Sequence, residues 1–418
     1  MFWFTSRLAL SKELNRNLTK QIGITFNLLL NPEVRFFYIY NYMTGSFCVF
    51  LNDNILSHVT QRGISRYFRK ITDGIIAHFG NNVIIYSPEI RDYGIARHIH
   101  CLPNTVCFPG SRWLGINSVL PKLRDMFAST VIAGSQASII YSPYYGSLRS
   151  NVPQVFTVYD MIYELFPQYY PRNYYSNQQF LAEKKYCLER SLVLFAISEN
   201  TARDIELCYP HIDPGKIVVT YLGVDEIFFR KSNQQVVNVN KPFFLYVGNR
   251  VSHKNFLRLL IAFGQSGLAK EFDLRVVSPV GSRFDKQERV LIDAYQLQDS
   301  VFLMSAISEI ELRDYYAGAV ALVYPSEYEG FGLPILEAMA SGTLVATSNT
   351  SSMPEIGGTV AFYFDPYNTD TIVDCLLNIV NLSVGERVKR IMQGVTHARK
   401  FTWKECCQKT VSVLKQLI

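Results

Sequence analysis

Two glutamates with seven residues between them, Glu329 and Glu337, stand in the stretch YPSEYEGFGLPILEAMASG, Tyr324 to Gly342. The stretch follows an apolar run that reads as a strand and opens a segment that reads as a helix. Pro334 suits the first helical turn, where its missing N–H costs nothing. Gly342 suits the left-handed residue beyond the helix end. Gly330 and Gly332 let the backbone turn tightly and approach a ligand. The N–H groups of Phe331, Gly332 and Leu333 then point out of the helix start, as a site for an anion or a sugar hydroxyl. Glu329 hangs over the mouth of that site, and Glu337 reaches it from inside the helix. A carboxylate accepts from two vicinal hydroxyls at once. Either glutamate taken alone equally fits an acid favoured by the helix dipole.

A second group lies in FLYVGNRVSHKNF, where Gly248 and Asn249 follow a strand and Lys254 stands where the next helix begins. Helix dipole and ammonium together oppose a diphosphate. Arg250 is a further cation for that diphosphate, or a solvated loop charge. In VFTVYDMIYELFP the strand ends on Tyr159 and Asp160. A tyrosine hydrogen-bonds a hydroxyl but carries no positive charge. A packed strand-end tyrosine beside a capping aspartate fits the same residues. Gly63 in GISRY reads as a helix start, and Arg66 after it as a surface residue. His98 and His100 have no further ligand cluster beside them, so no metal is expected there. No D-x-D triplet occurs in the chain.

The elements that must position these residues alternate. FCVFL, VIIYS, SIIYS, VFTVYD and LVLFAIS read as buried strands, with ISRYFRKITDGIIAHF and NQQFLAEKKYCLERS as helices between them. After KIVVTYLGVDEIFF the polar stretch 230–241 reads as a linker. The alternation then restarts: FFLYVG, DLRVVSP, SVFLMS, ALVYPS, TLVATS and AFYFD are strands with helices between. Such alternation predicts α/β architecture, with parallel sheets covered by helices on both faces. Two halves of this kind leave a cleft at the carboxyl ends of their strands, where ligands of doubly wound sheets bind. The division expected is an extension over 1–42, a first domain over 43–229, the linker, a second domain over 242–400 and a last helix over 401–418. Met43 is an alternative start. No internal sequence repeat is visible.

Composition agrees with a packed protein. The 418 residues are 48% hydrophobic and 18% charged, which excludes a mainly disordered chain. No apolar run reaches 18 residues, so an ordinary transmembrane helix is not expected. The front of the chain lacks the order of a signal peptide. Eight scattered cysteines without a C-x-x-C pair read as reduced thiols in a cytoplasmic protein. The net charge of +6 is mild and comes with no nucleic-acid-binding motif. The aromatic run Tyr163–Tyr175 reads either as loop packing or as a lip facing sugar or membrane.

The Tyr324–Gly342 stretch resembles the E-x7-E signature of retaining GT-B glycosyltransferases of family 4. FLYVGNRVSHKNF resembles the family's first C-domain strand and donor-phosphate loop. LFAISENTARDI resembles its last N-domain strand and S-E-x-T-x-x-D helix start. TYLGVDEIFF resembles the segment entering the linker, and GISRY the start of the first N-domain helix. SSMPEIGG and AFYFDP resemble late C-domain elements. Together these cover roughly Phe47 to Trp403. The resemblance implies two Rossmann-like domains facing across a cleft, with the last helix crossing back to the N-terminal one. It implies transfer of a hexose such as mannose from a GDP- or UDP-sugar, without a metal or cofactor. The acceptor would be a glycan or lipid-linked glycan, which brings peripheral contact with the cytoplasmic membrane face.

On that resemblance Glu337 takes the ribose hydroxyls and Glu329 the donor sugar. The amides of Phe331, Gly332 and Leu333 line sugar and diphosphate, and Lys254 and Arg250 oppose the diphosphate. Gly63, Tyr159 and Asp160 face donor or acceptor from the N-terminal domain. Three positions depart from the family pattern: Asn249 where arginine is usual, Tyr159 where histidine is usual, and Ser305 where glycine is common. Two other readings stand beside this one. A GT-B enzyme of sugar phosphates, an epimerase or phosphorylase, would not couple nucleotide release to an acceptor. A non-catalytic binding subunit would bind nucleotide-sugar weakly without turnover.

Overall fold

A computed structural model describes residues 49–52, 62–87, 97–100, 132, 137–145, 150–170, 175–230, 240–278, 281, 283–305 and 307–418. The expected extension 1–42, the alternative start at Met43 and most of the expected linker lie outside the described residues.

Thirteen described strands form two sheets. The first holds β1 (Val49–Asn52), β2 (Val83–Ser87), β3 (Arg97–His100), β4 (Ile139–Ser142), β5 (Gln154–Val158), β6 (Val193–Ala196) and β7 (Ile217–Val219). The second holds β8 (Phe243–Val247), β9 (Asp273–Val277), β10 (Val301–Met304), β11 (Ala321–Tyr324), β12 (Leu344–Ser348) and β13 (Phe362–Phe364). Every strand pair is parallel. The spatial orders are β3-β2-β1-β4-β5-β6-β7 and β10-β9-β8-β11-β12-β13. The second order repeats the first strand for strand, short of β7, although the sequences show no repeat. β4, β5, β6, β8, β11 and β12 are buried along their whole length, because helices cover both faces.

In each sheet the order reverses beside the strand that begins it, between β1 and β4 and between β8 and β11. Such reversal points open a crevice at the carboxyl ends of the strands. The two loops that bound the second crevice follow β8 and β11, and they carry Gly248–Lys254 and Pro325–Gly332. The carboxyl ends of the first sheet face these loops, as the contacts below show.

The last helix, Trp403–Leu417, packs against the helix Arg62–Phe79 of the first half. The Cys407 thiol there donates to the Lys70 carbonyl at 3.3 Å. The amide of Val224 bonds the Phe401 carbonyl at 3.1 Å, fixing the return of the chain. The helix Arg62–Phe79 is anchored to its sheet by a buried triangle of hydroxyls. Tyr67 meets Tyr141 at 2.9 Å and Thr157 at 3.0 Å, and those two meet at 2.8 Å. Three buried hydroxyls that satisfy one another incur little desolvation penalty and fix the helix in rotation.

β3 was not anticipated as a strand. It carries Arg97, His98 and His100 at an edge position, where polar residues hide the alternation. The side chains of both histidines lie outside the described residues.

Candidate functional site

The helix Leu333–Ala340 begins where the sequence places it. Gly332, at φ +103°, is its N-cap, and proline follows in the first turn. A residue with a β-carbon strains at that φ. The N–H groups of Gly332 and Leu333 stand at the helix start, where no intrahelical acceptor exists. Phe331 is buried, and its ring packs near Tyr221 and Phe401 at 6.3 and 6.2 Å between centroids. The carbonyl of Phe331 accepts from the Ser352 hydroxyl at 2.8 Å, and that of Glu329 accepts from Ser351 at 2.6 Å and Ser352 at 2.8 Å. These serines of the S-S-M-P-E segment therefore set the loop's path.

Gly330 needs to be glycine for a reason the sequence did not reveal. A β-carbon there would lie 1.7 Å from the carbonyl oxygen of Tyr159, in the other half. The glycine lets the two halves meet at this point.

Lys254 ends a short 3-10 turn after β8, and Asn255 follows in the left-handed region at φ +56°. The buried Asn255 amide donates to the carbonyls of Pro325 at 3.1 Å and Pro366 at 2.7 Å. This ties the β8 loop to the β11 loop. Lys254 Nζ then lies 2.5 and 2.7 Å from the two oxygens of Glu329. Tyr324 donates its hydroxyl to the same carboxylate at 2.7 Å. Burial raises the Glu329 carboxyl, but the Lys254 charge and its hydrogen bond outweigh that and hold it below the usual 4.5. Next to Lys254, burial and the neighbouring ammonium push His253 down to about 4. It is a neutral imidazole near pH 7, 3.4 Å from the Tyr170 hydroxyl.

Glu337 is buried. Its Oε2 accepts from the Tyr316 hydroxyl at 3.0 Å, and its Oε1 lies 2.5 Å from Nη1 of Arg66. Arg66 was read as a surface residue. The structure buries it between the two halves, with further ion pairs to Glu309 at 2.8 Å and Asp225 at 3.1 Å. Nothing local signals this, because its partners lie 159 or more positions away.

The remaining candidates divide. Gly63 faces the helix Leu333–Ala340: a β-carbon there would meet Leu333 Cδ1 at 3.6 Å. Gly248 has φ +150° and lets the chain leave β8. The carbonyl of Asn249 accepts from the Tyr246 hydroxyl at 2.6 Å. Arg250 is not a solvated loop charge. Its Nε lies 2.7 Å from the buried Glu288, and its Nη2 donates to the Arg283 carbonyl at 3.0 Å. The pair with Glu288 fixes the direction of its guanidinium. Tyr159 is a packed strand-end residue, as one of its two readings had it. Its hydroxyl donates to the Pro143 carbonyl at 2.7 Å, and its ring stands edge-on to Tyr67 at 5.6 Å. Asp160 accepts from the Ile162 amide at 3.2 Å, two residues on, in a local Asx-type turn.

The aromatic run, so far as it is described, packs inward. Tyr163 lies 4.2 Å from Tyr170 and 4.6 Å from Phe180, ring centre to ring centre. Tyr169 donates its hydroxyl to Glu327 across the cleft.

Further contacts bind the halves around the same loop. Ser198 and Thr201 donate to the Gly330 carbonyl at 2.7 and 3.2 Å. Tyr328 donates to Asp204 at 2.6 Å. Glu355 accepts from the amides of Glu199 at 2.7 Å and Asn200 at 3.0 Å. It thereby caps a helix of the opposite half. Among the described residues no helix is long and apolar enough to cross a membrane.

Comparison with known proteins agrees with this geometry. Residues 61–227 match a family model described as Glycosyltransferase Family 4, and residues 228–394 match one described as Glycosyl transferases group 1. The two matches adjoin and cover both sheets from the first helix onward; the chain belongs to the family 4, group 1 glycosyltransferases, and its fold is GT-B. It is 26% identical over 273 residues to O-antigen chain mannosyltransferase B of Escherichia coli, spanning 63% of this chain and 70% of that protein. Its fold is similar to that of sucrose-phosphate synthase from Thermosynechococcus elongatus, with TM-score 0.70 at 18% identity over 89% of this chain and 99% of that one. It is also similar to Anabaena HepE in complex with UDP and glucose, with TM-score 0.66 at 14% identity over 88% and 99% of the two chains.

Proposed function

We propose that this glycosyltransferase moves a hexose of the mannose type from a GDP- or UDP-sugar to a glycan or lipid-linked glycan, with retention of anomeric configuration and without a metal ion. The observation that carries this reading is the convergence of Glu337, the Lys254–Glu329 pair and the open helix start at one strand-order reversal. A nucleotide-sugar has three matching parts: a ribose diol, a diphosphate and a sugar with several hydroxyls. Glu337 accepts from the diol and Glu329 from the sugar. Lys254 and the amides of Gly332 and Leu333 face the diphosphate.

In the transfer the anomeric carbon–oxygen bond to the diphosphate breaks, through a transition state with oxocarbenium character. The acceptor hydroxyl forms the new bond on the same face, and its proton passes to the leaving phosphate. The protein's task is to stabilise the charge that grows on that phosphate. Lys254 and the helix-start amides do so as preorganised dipoles and charge. Arg250, held through its Nε by Glu288, adds a further positive charge beside that loop. The mannose assignment rests on the Escherichia coli relative's name, and the nucleotide-sugar assignment is supported by the UDP and glucose bound to the Anabaena neighbour. A lipid-linked acceptor places the protein at the cytoplasmic membrane face, where the net charge of +6 favours anionic headgroups.

The test is the anomeric configuration of the product, read by NMR after reaction with α-configured GDP-mannose or a UDP-hexose. An α-linked product is expected, and a β-linked product contradicts retention. Nucleotide binding without any transfer favours the non-catalytic subunit.

A further inference from the structure

We propose that Arg66 is a positioning residue of the donor site: it pairs with Glu337 and hands that carboxylate over to the donor ribose. The inference rests on the reading of Glu337 as the ribose acceptor.

Arg66 belongs to the first half and Glu337 to the second, yet they form the short ion pair described above. The Glu337 side chain is 6% exposed and that of Arg66 10%. With Tyr316 on one oxygen and Arg66 on the other, the carboxylate is sealed. A vicinal diol must present two O–H groups to it, and the guanidinium stands in one of those places. The ribose and Arg66 therefore compete for one group.

The surroundings suit a handover rather than a permanent bridge. A buried arginine that loses its only carboxylate pays heavily, since its charge is left uncompensated. Arg66 has two others. Glu309 and Asp225 remain within ion-pair distance when Glu337 is taken. The guanidinium fork has five donors and can rest on both. A crevice of about 740 Å³, lined by Ser65, Arg66, Arg69, Asp225, Ser308 and Glu309, gives the side chain room to withdraw. Tyr67 is locked by its hydroxyl triangle, so the helix stays in place and the side chain alone moves.

The consequence is an affinity held below its intrinsic value. A site that is open only part of the time shows a dissociation constant raised by the reciprocal of the open fraction. The experiment is calorimetric titration of GDP and UDP into the native protein, Arg66→Gln, Arg66→Lys and Glu337→Ala, with thermal unfolding as a check on folding. Arg66→Gln should bind the favoured nucleotide about five- to tenfold tighter, and the donor KM should fall by the same factor. Arg66→Lys should lie between it and the native protein, because one ammonium cannot fork across three carboxylates. If Arg66→Gln does not fold, Arg66→Lys alone decides, by the same direction of change. A merely structural bridge predicts the opposite, weaker binding as the halves part. Unchanged or weaker binding in the Arg66 variants, with binding lost in Glu337→Ala, overturns the handover and leaves the ribose reading standing. Binding retained in Glu337→Ala overturns both.

Discussion

The carbonyl oxygen of Tyr159 occupies the space where a β-carbon on Gly330 would sit, 1.7 Å from its ideal position. The two domains thus meet backbone to backbone at the floor of the cleft, one residue from Glu329. The carbonyl of Gly330 is itself held by Ser198 and Thr201 of the opposite domain. The contact between the domains and the placement of Glu329 are set by the same loop.

Gly330→Ala should therefore part the domains without unfolding either. Relief of such an overlap by backbone movement costs typically about 1–3 kcal/mol. Transfer should fall at least about tenfold, since displacements of about 1 Å at a reacting centre have effects of that order or larger. Small-angle scattering should show a more open molecule. Native activity in Gly330→Ala would contradict the role given to this contact.

Lys254→Ala leaves Glu329 buried without its cation. Burial then has less to oppose it, and the Glu329 carboxyl should rise above its ordinary value. In the native protein the folded value lies below the unfolded one. The pair's stabilisation is therefore present above about pH 4.5 and lost as pH falls through the folded value. In the variant this sign reverses. Carbon-13 NMR of labelled glutamate should show Glu329 titrating at higher pH, and transfer should drop by two orders of magnitude or so, the loss typical of one preorganised group. A carboxyl that still titrates below 4.5 in Lys254→Ala would show that Lys254 does not set it.

His253 gives a second pH signature. Its folded value of about 4 lies below the ordinary 6.5, so between these the unfolded chain binds more protons. Stability should fall as pH drops from about 6.5 to about 4, by up to about 3 kcal/mol from this residue. His253→Gln should flatten that part of the curve, measured as unfolding midpoint against pH. An equally steep curve in the variant would assign the acid lability elsewhere.

Much of this site was legible before any coordinates. The Tyr324–Gly342 stretch carries its own punctuation, proline inside the helix start and glycine beyond its end, and the structure follows it residue by residue. The strand and helix alternation anticipated the second sheet and five of the seven strands of the first, because strands covered on two faces are continuous apolar runs. What escaped was the pairing of distant side chains. Arg66 stands near a helix start, and its partners Asp225, Glu309 and Glu337 all lie far along the chain. The contact of Gly330 with the Tyr159 carbonyl escaped because the other domain's backbone leaves no mark in its local sequence. Tyr159 was open to two readings, and the Pro143 carbonyl decides which one its hydroxyl serves. The short strand Arg97–His100 was missed because an edge strand with polar residues has little apolar pattern to read.

The central claim is that Glu337 and the open helix start form a nucleotide site, and thermal unfolding with a panel of GDP, UDP, ADP and their sugars tests it most directly. A ligand at 100 times its dissociation constant adds about 2.7 kcal/mol to the folded state, which moves the midpoint by several degrees. The account predicts such a shift with one nucleotide class in the native protein and none in Glu337→Ala. An equal shift in the variant, or no shift with any nucleotide, would contradict it.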